Sequence, residues 1–209
     1  MMEIEQQIAK DLLDIKAVTL SPDEPFQWVS GIKAPIYTDN RLTIGYPEIR
    51  LHITSGLARL IMQKYPTVSA IGGVVTAGIP HAASVADRLG LPLCYVRSQP
   101  KDHGKGKQVE GYLDKNAKVV LIDDLISTGG SVLKAAEALQ KEGFEVLGVA
   151  AIFTYELPAG SDNFKKAGLP LVTLTNYSAL IEQAERSNIL TSDEKEDLLT
   201  WRKDPWGWR

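Results

Sequence analysis

Residues 119–131 read Val119-Val120-Leu121-Ile122-Asp123-Asp124-Leu125-Ile126-Ser127-Thr128-Gly129-Gly130-Ser131, and this stretch decides the fold of the chain. Its first four residues are apolar and predict a buried strand. Two carboxylates stand at the carboxyl end of that strand, and a turn rich in hydroxyl groups and glycine leads into a predicted helix over 130–142. This order of strand, acid pair, turn and helix indicates a ligand site at the edge of an α/β sheet.

The turn after the acid pair suits a phosphate, because its backbone N–H groups and the helix N-terminus attract an anion. Carboxylates are poorly suited to a bare phosphate, but they accept hydrogen bonds from ribose hydroxyls and hold a divalent metal through water. The stretch therefore indicates a sugar phosphate. It lacks the Gly-Lys-Ser/Thr of a Walker A loop and the G-x-G-x-x-G of a dinucleotide site. The alternative is an ordinary strand–turn–helix unit in which Asp123 is a solvated cap.

Composition limits the class of protein. The chain has 209 residues, 44% of them hydrophobic, which suffices for one α/β domain over residues 1–209 with a small appended element. The net charge of −3 argues against nucleic acid as a partner held by bulk charge. The single cysteine, Cys94, has no partner for an internal disulfide. No apolar stretch is long enough to span a bilayer, so we expect a reduced, cytoplasmic protein without a membrane partner.

Predicted strands alternate with predicted helices, which favours a mostly parallel sheet with helices on both faces. Such sheets bind ligands at the carboxyl ends of their strands. Three strand ends carry polar or glycine-rich residues: Thr76-Ala77-Gly78, Arg97 and the acid pair. Thr191 and Glu194 form a capping box for a last helix. The predicted helices are 3–16, 47–64, 79–89 and 130–142, and the predicted strands are 17–20, 26–30, 35–38, 69–74, 92–96, 117–122, 145–153 and 171–174.

A polar gap over residues 97–111 separates two of these strands. Its basic residues outnumber its acidic ones, and it contains three glycines. A mobile, cationic segment with glycine hinges suits a lid that closes on a polyphosphate and excludes water. The alternative is a solvated surface loop.

The acid-pair stretch resembles the signature of the type I phosphoribosyltransferases, which bind 5-phosphoribosyl diphosphate (PRPP). Within that family, Arg97-x-x-x-Lys101-Asp102-His103-Gly104 is similar to the loop of the orotate phosphoribosyltransferases. Residues 30–39, Ser-Gly-Ile-Lys-Ala-Pro-Ile-Tyr-Thr-Asp, look like the N-terminal hood of that branch, and residues 72–80 resemble its diphosphate-contacting turn. The resemblance implies a type I fold, with an N-terminal helix and hood over about 1–45 and an α/β core over about 46–209.

The resemblance also implies an activity. Members of this branch transfer phosphoribose from PRPP to N1 of orotate and release diphosphate, with Mg²⁺ as cofactor. The metal is held by PRPP and reaches Asp123 and Asp124 through water, with no direct protein ligand expected. A homodimer is implied, in which loop 97–111 reaches into the site of the neighbouring subunit.

Residue roles follow from the same resemblance. Lys101, His103 and Asp124 are implied as catalytic residues, and Ser127, Lys33 and Tyr37 as contacts to orotate. From the residues alone, Lys33 is equally a surface charge and Tyr37 equally a core residue. The implied PRPP contacts are Thr76, Ala77, Arg97, Lys101, His103, Asp123, Asp124, Leu125, Ile126, Ser127, Thr128, Gly129, Gly130 and Ser131.

The chain departs from the pattern of the branch at three places. Many members have Tyr-Lys where this chain has Thr76-Ala77, and many have a second lysine where this chain has Ser98. Many also have an arginine after the strand that follows the signature helix, and it pairs with the orotate carboxylate. Residues 153–156 read Phe-Thr-Tyr-Glu here, so the carboxylate needs another partner, such as Lys33 or backbone N–H groups.

Three other functions remain open at this point. One is a type I transferase for a purine base, against which the hood and the Lys-Asp-His-Gly segment argue. Another is a non-catalytic regulator that senses PRPP, which has no need of a catalytic lid. The last is a nucleotide-dependent oxidoreductase, and the missing dinucleotide motif argues against it.

Overall fold

A computed structural model describes residues 3–28, 31–99 and 108–208. Its centre is a six-stranded sheet in the order β10-β9-β8-β5-β6-β7. Neighbouring strands are parallel except at the β7 edge, where β7 runs antiparallel to β6. The mostly parallel sheet predicted from the sequence is therefore confirmed. The strands are β5 (Ala70–Val74), β6 (Leu93–Val96), β7 (Val109–Glu110), β8 (Lys118–Ile126), β9 (Glu145–Thr154) and β10 (Leu171–Asn176).

Helices cover both faces of the sheet, because its strands are apolar on both sides. Within β8, Val120 and Ile122 point into one core cluster, whereas Val119 and Leu121 point into the other. The first cluster is covered by α1 (Ile4–Asp14), α2 (Pro47–Lys64), α3 (Gly78–Leu89), α6 (Tyr177–Arg186) and α7 (Ser192–Lys203). The second is covered by α4 (Gly130–Lys141) and α5 (Pro158–Ala167). None of the helices within the described ranges is long and apolar enough to cross a membrane.

The segment between α1 and α2 forms a hood, which we define as residues 18–28 and 31–45. It contains two small antiparallel sheets, β1 (Val18–Leu20) with β4 (Ile36–Thr38), and β2 (Phe26–Gln27) with β3 (Lys33–Ala34). A 3₁₀ helix, Asn40–Gly45, then leads into α2. The predicted strand 26–30 is thus shorter in its described part, and its last two residues lie outside the described ranges.

An aromatic cluster joins the hood to the core and to the last helix. The ring centroid of Trp28 lies 4.8 Å from that of Tyr155 and 5.6 Å from that of Trp201. Trp201 also lies 5.5 Å from Tyr177, and its indole Nε1 donates to the Lys33 carbonyl at 2.9 Å. Trp201 therefore packs on the body of the chain.

Several elements differ from the prediction. Strand β8 runs through the acid pair as far as Ile126, because β9 continues to pair with it. The gap 97–111 is shorter than predicted, because Val109 and Glu110 form β7 on the edge of the sheet. Helices α5 and α6 were not predicted. The predicted capping box is confirmed, with Thr191 and Glu194 bonded to each other at the start of α7.

Candidate active site

The acid pair lies at the carboxyl end of β8, near the middle of the sheet. Asp123 is buried, and one of its carboxylate oxygens, Oδ1, accepts a hydrogen bond from the Asp124 backbone N–H at 3.0 Å. Burial and the neighbouring Asp124 charge raise the pKa of Asp123 above its usual range. Burial also raises the pKa of Asp124, while the Arg41 guanidinium acts in the opposite direction. Two carboxylates held this way gain by accepting hydroxyl donors or facing a cation.

The turn after β8 forms a concave cradle. A cavity of about 100 Å³ is enclosed by the end of β8 and the start of α4. Gly129 has a φ of +78°, which is strained for any other residue, and it precedes α4 without a side-chain cap. The first N–H groups of α4 therefore face the cavity without capping partners and can bind an anion. The lining residues are Asp123, Leu125, Ser127, Thr128, Gly129, Gly130, Ser131 and Val132.

Helix α5 supports this turn from behind. The amide of Asn163 donates to the Thr128 carbonyl at 3.0 Å. A side chain at Gly129 would overlap the ring of Phe164, and a side chain at Gly160 would overlap the Ser127 carbonyl. The turn is thus fixed by close backbone packing against a helix that the sequence did not predict.

A second open helix N-terminus lies beside the first. Strand β5 pairs in parallel with β8, so Thr76 and Ala77, which follow β5, lie at the same edge of the sheet as the acid pair. Helix α3 begins at Gly78 and also lacks a side-chain cap. A Cβ atom at Gly78 would overlap the Ile122 carbonyl oxygen, so α3 starts directly against β8. Two helix N-termini without side-chain caps therefore converge near the two carboxylates. The α3 terminus offers fewer donors, because the Ile79 N–H bonds to the Thr76 carbonyl and Pro80 has no N–H.

Arg97 lies at the end of β6, at the first residues of the predicted lid. Its backbone N–H donates to the Gln108 carbonyl at 2.9 Å, and Gln108 returns a bond from Nε2 to the Arg97 carbonyl at 2.6 Å. Its guanidinium Nη1 lies 3.5 Å from a Glu110 carboxylate oxygen. Arg97, Ser131 and Lys134 line a neighbouring cavity of about 270 Å³. The predicted residues Lys101 and His103 lie outside the described residues.

The hood contributes polar contacts from the other side. Asn40 is buried, and its amide donates to the Asp124 carbonyl at 2.8 Å. Lys33 is exposed on β3. Tyr37 is 46% exposed and its ring lies 5.7 Å from that of Phe26, so core packing is the wrong interpretation of this residue. The hood thus presents an exposed lysine and an exposed aromatic ring while it holds the backbone of the acid pair.

Sequence reasoning missed four residues that border this site. They are Asn40 and Arg41 in the hood, Lys134 on α4 and Asn163 on α5. The polar run Thr-Asp-Asn-Arg at 38–41, directly after an apolar strand, was the signal for the first two. Lys134 and Asn163 carry no local signal, because they reach the site only through helix packing.

The donor set limits what metal the site could hold. Within the described ranges, no three residues among His, Cys, Asp and Glu group together as metal ligands. The acid pair alone offers oxygen ligands that suit Mg²⁺, which keeps several waters and binds one or two carboxylates together with substrate phosphates.

Comparison with known proteins gives a consistent result. The family described as phosphoribosyl transferase domain matches residues 47–172. The orotate phosphoribosyltransferase of Levilactobacillus brevis is 61% identical over 203 residues, which cover 97% of each chain. That of Enterococcus faecalis is 57% identical over 208 residues, covering 100% of this chain and 99% of the relative. The crystal structure of orotate phosphoribosyltransferase from Aeropyrum pernix superimposes with a TM-score of 0.76 and 32% identity, covering 86% of this chain and 98% of the other.

Proposed function

Since this chain belongs to the orotate phosphoribosyltransferases of the type I family, we propose that the acid pair and the turn after β8 hold its PRPP. The enzyme is a pentosyltransferase of pyrimidine biosynthesis, which forms orotidine 5′-monophosphate and diphosphate from orotate and PRPP. One observation carries the assignment of the site. Two helix N-termini without side-chain caps, those of α3 and α4, flank the buried Asp123 and the half-buried Asp124 at one edge of a parallel sheet.

The cradle of residues 127–131 binds the 5′-phosphate, with backbone N–H groups of the turn and of the first turn of α4 as donors. Asp123 and Asp124 accept hydrogen bonds from the ribose hydroxyls. The bond from Asn40 to the Asp124 carbonyl supports this arrangement, because it fixes the strand end on which both carboxylates stand. Helix α5 supports it from the other side through Asn163.

Catalysis depends on charge. The bond between the anomeric carbon and the diphosphate breaks, so positive charge develops on the ribose and negative charge on the leaving group. Asp124 stabilises the cationic ribose, whereas Thr76, Ala77 and the N-terminus of α3 lie toward the leaving diphosphate with Arg97. Lys101 and His103 complete the cationic set in this proposal. Orotate already carries a nucleophilic nitrogen, so positioning and electrostatics suffice and no strong base is needed.

The base lies between the hood and the end of β8, where Ser127, Lys33 and Tyr37 contact it. The half-exposed ring of Tyr37 supports this placement, because an aromatic face open to solvent can stack on a planar base. The exposed ammonium group of Lys33 suits an anionic substrate.

Mg²⁺ is part of the proposal. When bound, this ion would neutralise negative charge on the diphosphate. Asp123 and Asp124 would fit such an ion as outer ligands through water, because the buried Asp123 and the half-buried Asp124 carry uncompensated negative charge when ionised.

We further propose a homodimer in which loop 97–111 is shared across subunits. The hydrogen bonds between Arg97 and Gln108 support this proposal, because they hold the two described ends of the loop together at the edge of the sheet. Nucleic acid and membrane are not partners in this proposal.

An assay of orotate consumption tests the function. Purified enzyme is incubated with orotate and PRPP, with and without Mg²⁺, and the loss of orotate absorbance is followed. Adenine, hypoxanthine and uracil are run in parallel. We expect orotate loss that requires both PRPP and Mg²⁺. Turnover of a purine base without orotate loss would contradict the substrate, and PRPP binding without any turnover would indicate a sensor.

A further inference from the structure

We propose that Arg41 is the cation that pairs with the orotate carboxylate and thereby selects orotate over bases that lack one. The inference rests on the proposed function, because it takes orotate as the base bound under the hood. A bound carboxylate that loses water needs a charged donor in exchange. The end of β9, Phe153-Thr154-Tyr155-Glu156, offers no cation of its own.

Arg41 stands next to the residue that holds the acid pair. Asn40 donates to the Asp124 carbonyl at 2.8 Å, and Arg41 follows it in the same 3₁₀ helix. The backbone at Arg41 is therefore anchored to the strand end that would hold the ribose. The Arg41 charge opposes the burial that raises the pKa of Asp124, and the Asp39 charge adds to it, so the Asp39–Arg41 pair lies within electrostatic range of that carboxylate.

Asp39 fixes the orientation of the Arg41 guanidinium, while Nη1 on its other side stays available as a donor. Asp39 accepts from Arg41 Nε at 2.6 Å through Oδ1 and from Nη2 at 2.8 Å through Oδ2. Nη1 makes no hydrogen bond to any residue in the described ranges, and the Arg41 side chain is 64% exposed. An arginine held in this way presents its remaining N–H donors with little further loss of side-chain entropy.

The chemistry of orotate sets where its carboxylate falls. N1 must face the anomeric carbon of the ribose, and the carboxylate is attached to the ring carbon next to N1. The carboxylate therefore lies close to the ribose and to the acid pair. A free carboxylate would be repelled by Asp124 at this point unless a cation stood between them. Arg41, which already interacts with Asp124, meets that requirement.

Two other cations among the described residues near the hood, Arg202 and Lys33, fit less well. Both Arg41 and Arg202 pair with a carboxylate, but the Arg202 side chain on α7 is only 25% exposed and donates to both Glu156 and Ser178, so it is less accessible to a ligand. Lys33 is exposed on β3, and a single ammonium group lacks the paired donors that match a carboxylate. Arg41 interacts electrostatically with Asp124 of the acid pair.

The test is steady-state kinetics of Arg41→Ala and Arg41→Lys with orotate and PRPP varied separately. Arg59→Ala, which removes an exposed arginine from α2, is the matched control. We expect Arg41→Ala to lower kcat/KM for orotate by about 10- to 100-fold, as for a hydrogen bond to a charged group. The KM for PRPP should stay within about twofold of wild type, and Arg41→Lys should recover part of the loss.

Uracil, which is orotate without the carboxylate, supplies the second readout as a competitive inhibitor. Its inhibition constant should be the same in wild type and Arg41→Ala. If Arg41→Ala lost affinity for orotate, PRPP and uracil equally, the Asp39–Arg41 pair would have only a structural role. That result would overturn the proposal. An orotate-specific loss in Lys33→Ala, with Arg41→Ala unaffected, would also overturn it. Wild-type enzyme that does not consume orotate would instead contradict the proposed function.

Discussion

At the residue scale, Asp123 places a carboxylate where folding does not favour its charge. Its pKa is raised, so the folded chain binds this proton more tightly than the unfolded chain does. A raised pKa means that stability is highest below the ordinary pKa of about 4 and falls as the pH rises toward the folded value. The site is thus maintained at the expense of stability at neutral pH, which is common where function requires a buried charge.

Asp123→Asn should therefore make the protein more stable and inactive. The amide keeps the oxygen that accepts from the Asp124 N–H, but removes the buried charge. At pH 8 we expect a gain of about 0.5–2 kcal/mol, or roughly 2–6 °C in Tm. The gain should disappear near pH 4, where the wild-type side chain is protonated. Thermal unfolding at both pH values measures this.

The control for that experiment is Asp23→Asn, which changes an exposed carboxylate of the hood. It should leave the Tm unchanged at both pH values. A stability gain at pH 4 as large as that at pH 8 would show that the Asp123 effect is not one of charge. Turnover of Asp123→Asn with PRPP and orotate should fall by about 10²-fold or more, because a neutral amide replaces the carboxylate that accepts from the ribose hydroxyls beside the developing charge.

His81 gives the opposite pH dependence. It is buried with Nε2 3.4 Å from the Thr43 hydroxyl, and Nδ1 has no hydrogen-bond partner among the described residues. Burial and the Arg50 charge lower its pKa to about 4. The unfolded chain therefore binds this proton more readily, and stability falls as the pH drops from about 6.5 toward 4.

His81→Gln should reduce this acid sensitivity. Glutamine can keep a bond to Thr43 but does not take up a proton. Between pH 7.5 and pH 5, we expect the urea midpoint of the variant to fall less than that of wild type. Equal falls in the two proteins would mean that His81 does not titrate on unfolding.

The acid pair and its turn could be predicted from the sequence as site residues. The tertiary contacts that hold them in place could not. The acid pair and its turn were visible as a local pattern, since strand, acids and glycines are contiguous. The polar run at 38–41 indicated Asn40 as a candidate site residue, but nothing in the sequence indicated its contact with Asp124, which lies 84 positions away in the chain. Tertiary contacts of this length leave no trace in a short window of sequence.

At the element scale, predictions succeeded where the signal was local. Helix α2 has the predicted bounds, because Pro47 suits the first helical position. Helix α5 was missed, because Gly160, Ser161, Asp162 and Asn163 are weak helix formers. Its helical form comes instead from packing, with Phe164 buried against Gly129. The element that supports the phosphate cradle is thus one that tertiary contacts create.

Gly78, at the start of α3, allows a test of whether PRPP binding requires the close packing of α3 against β8. Gly78→Ala should push α3 away from β8, because the new Cβ overlaps the Ile122 carbonyl. We expect a loss of about 1–3 kcal/mol in the free energy of unfolding together with a higher KM for PRPP. Urea unfolding and steady-state kinetics measure the two effects.

Gly45→Ala is the matched control, because a Cβ at Gly45 meets no atom within 4 Å. It should be nearly neutral in both measurements. If Gly78→Ala were as mild as this control, the close approach of α3 to β8 would not matter for PRPP binding.

At the scale of the whole molecule, the hood is tied to the C-terminal helix. Trp201 on α7 is fully buried, donates to the Lys33 carbonyl and packs on Trp28. The alternation of strands and helices predicted the core and its layers, because that pattern repeats along the chain. That pattern could not predict the contact between the hood and α7, because residues 28, 33 and 201 come together only once the sheet has formed.

Trp201→Phe should loosen the hood while keeping an aromatic ring in place. Losing the bond to the Lys33 carbonyl should cost about 1 kcal/mol of stability and raise the KM for orotate more than that for PRPP. Trp206→Phe, at a position that is 71% exposed, serves as the control and should change neither. An equal rise in both KM values after Trp201→Phe would contradict a specific role for the hood in binding the base.

The aromatic cluster also provides an intrinsic fluorescence signal for ligand binding. Trp28 and Trp201 lie at the junction of hood and core, and Tyr155 is within 4.8 Å of Trp28. Excitation energy passes readily between rings this close, so the emission of these two indoles depends on how the hood sits on the sheet. Titration with orotate or PRPP can therefore be followed by intrinsic fluorescence, without a label and without turnover.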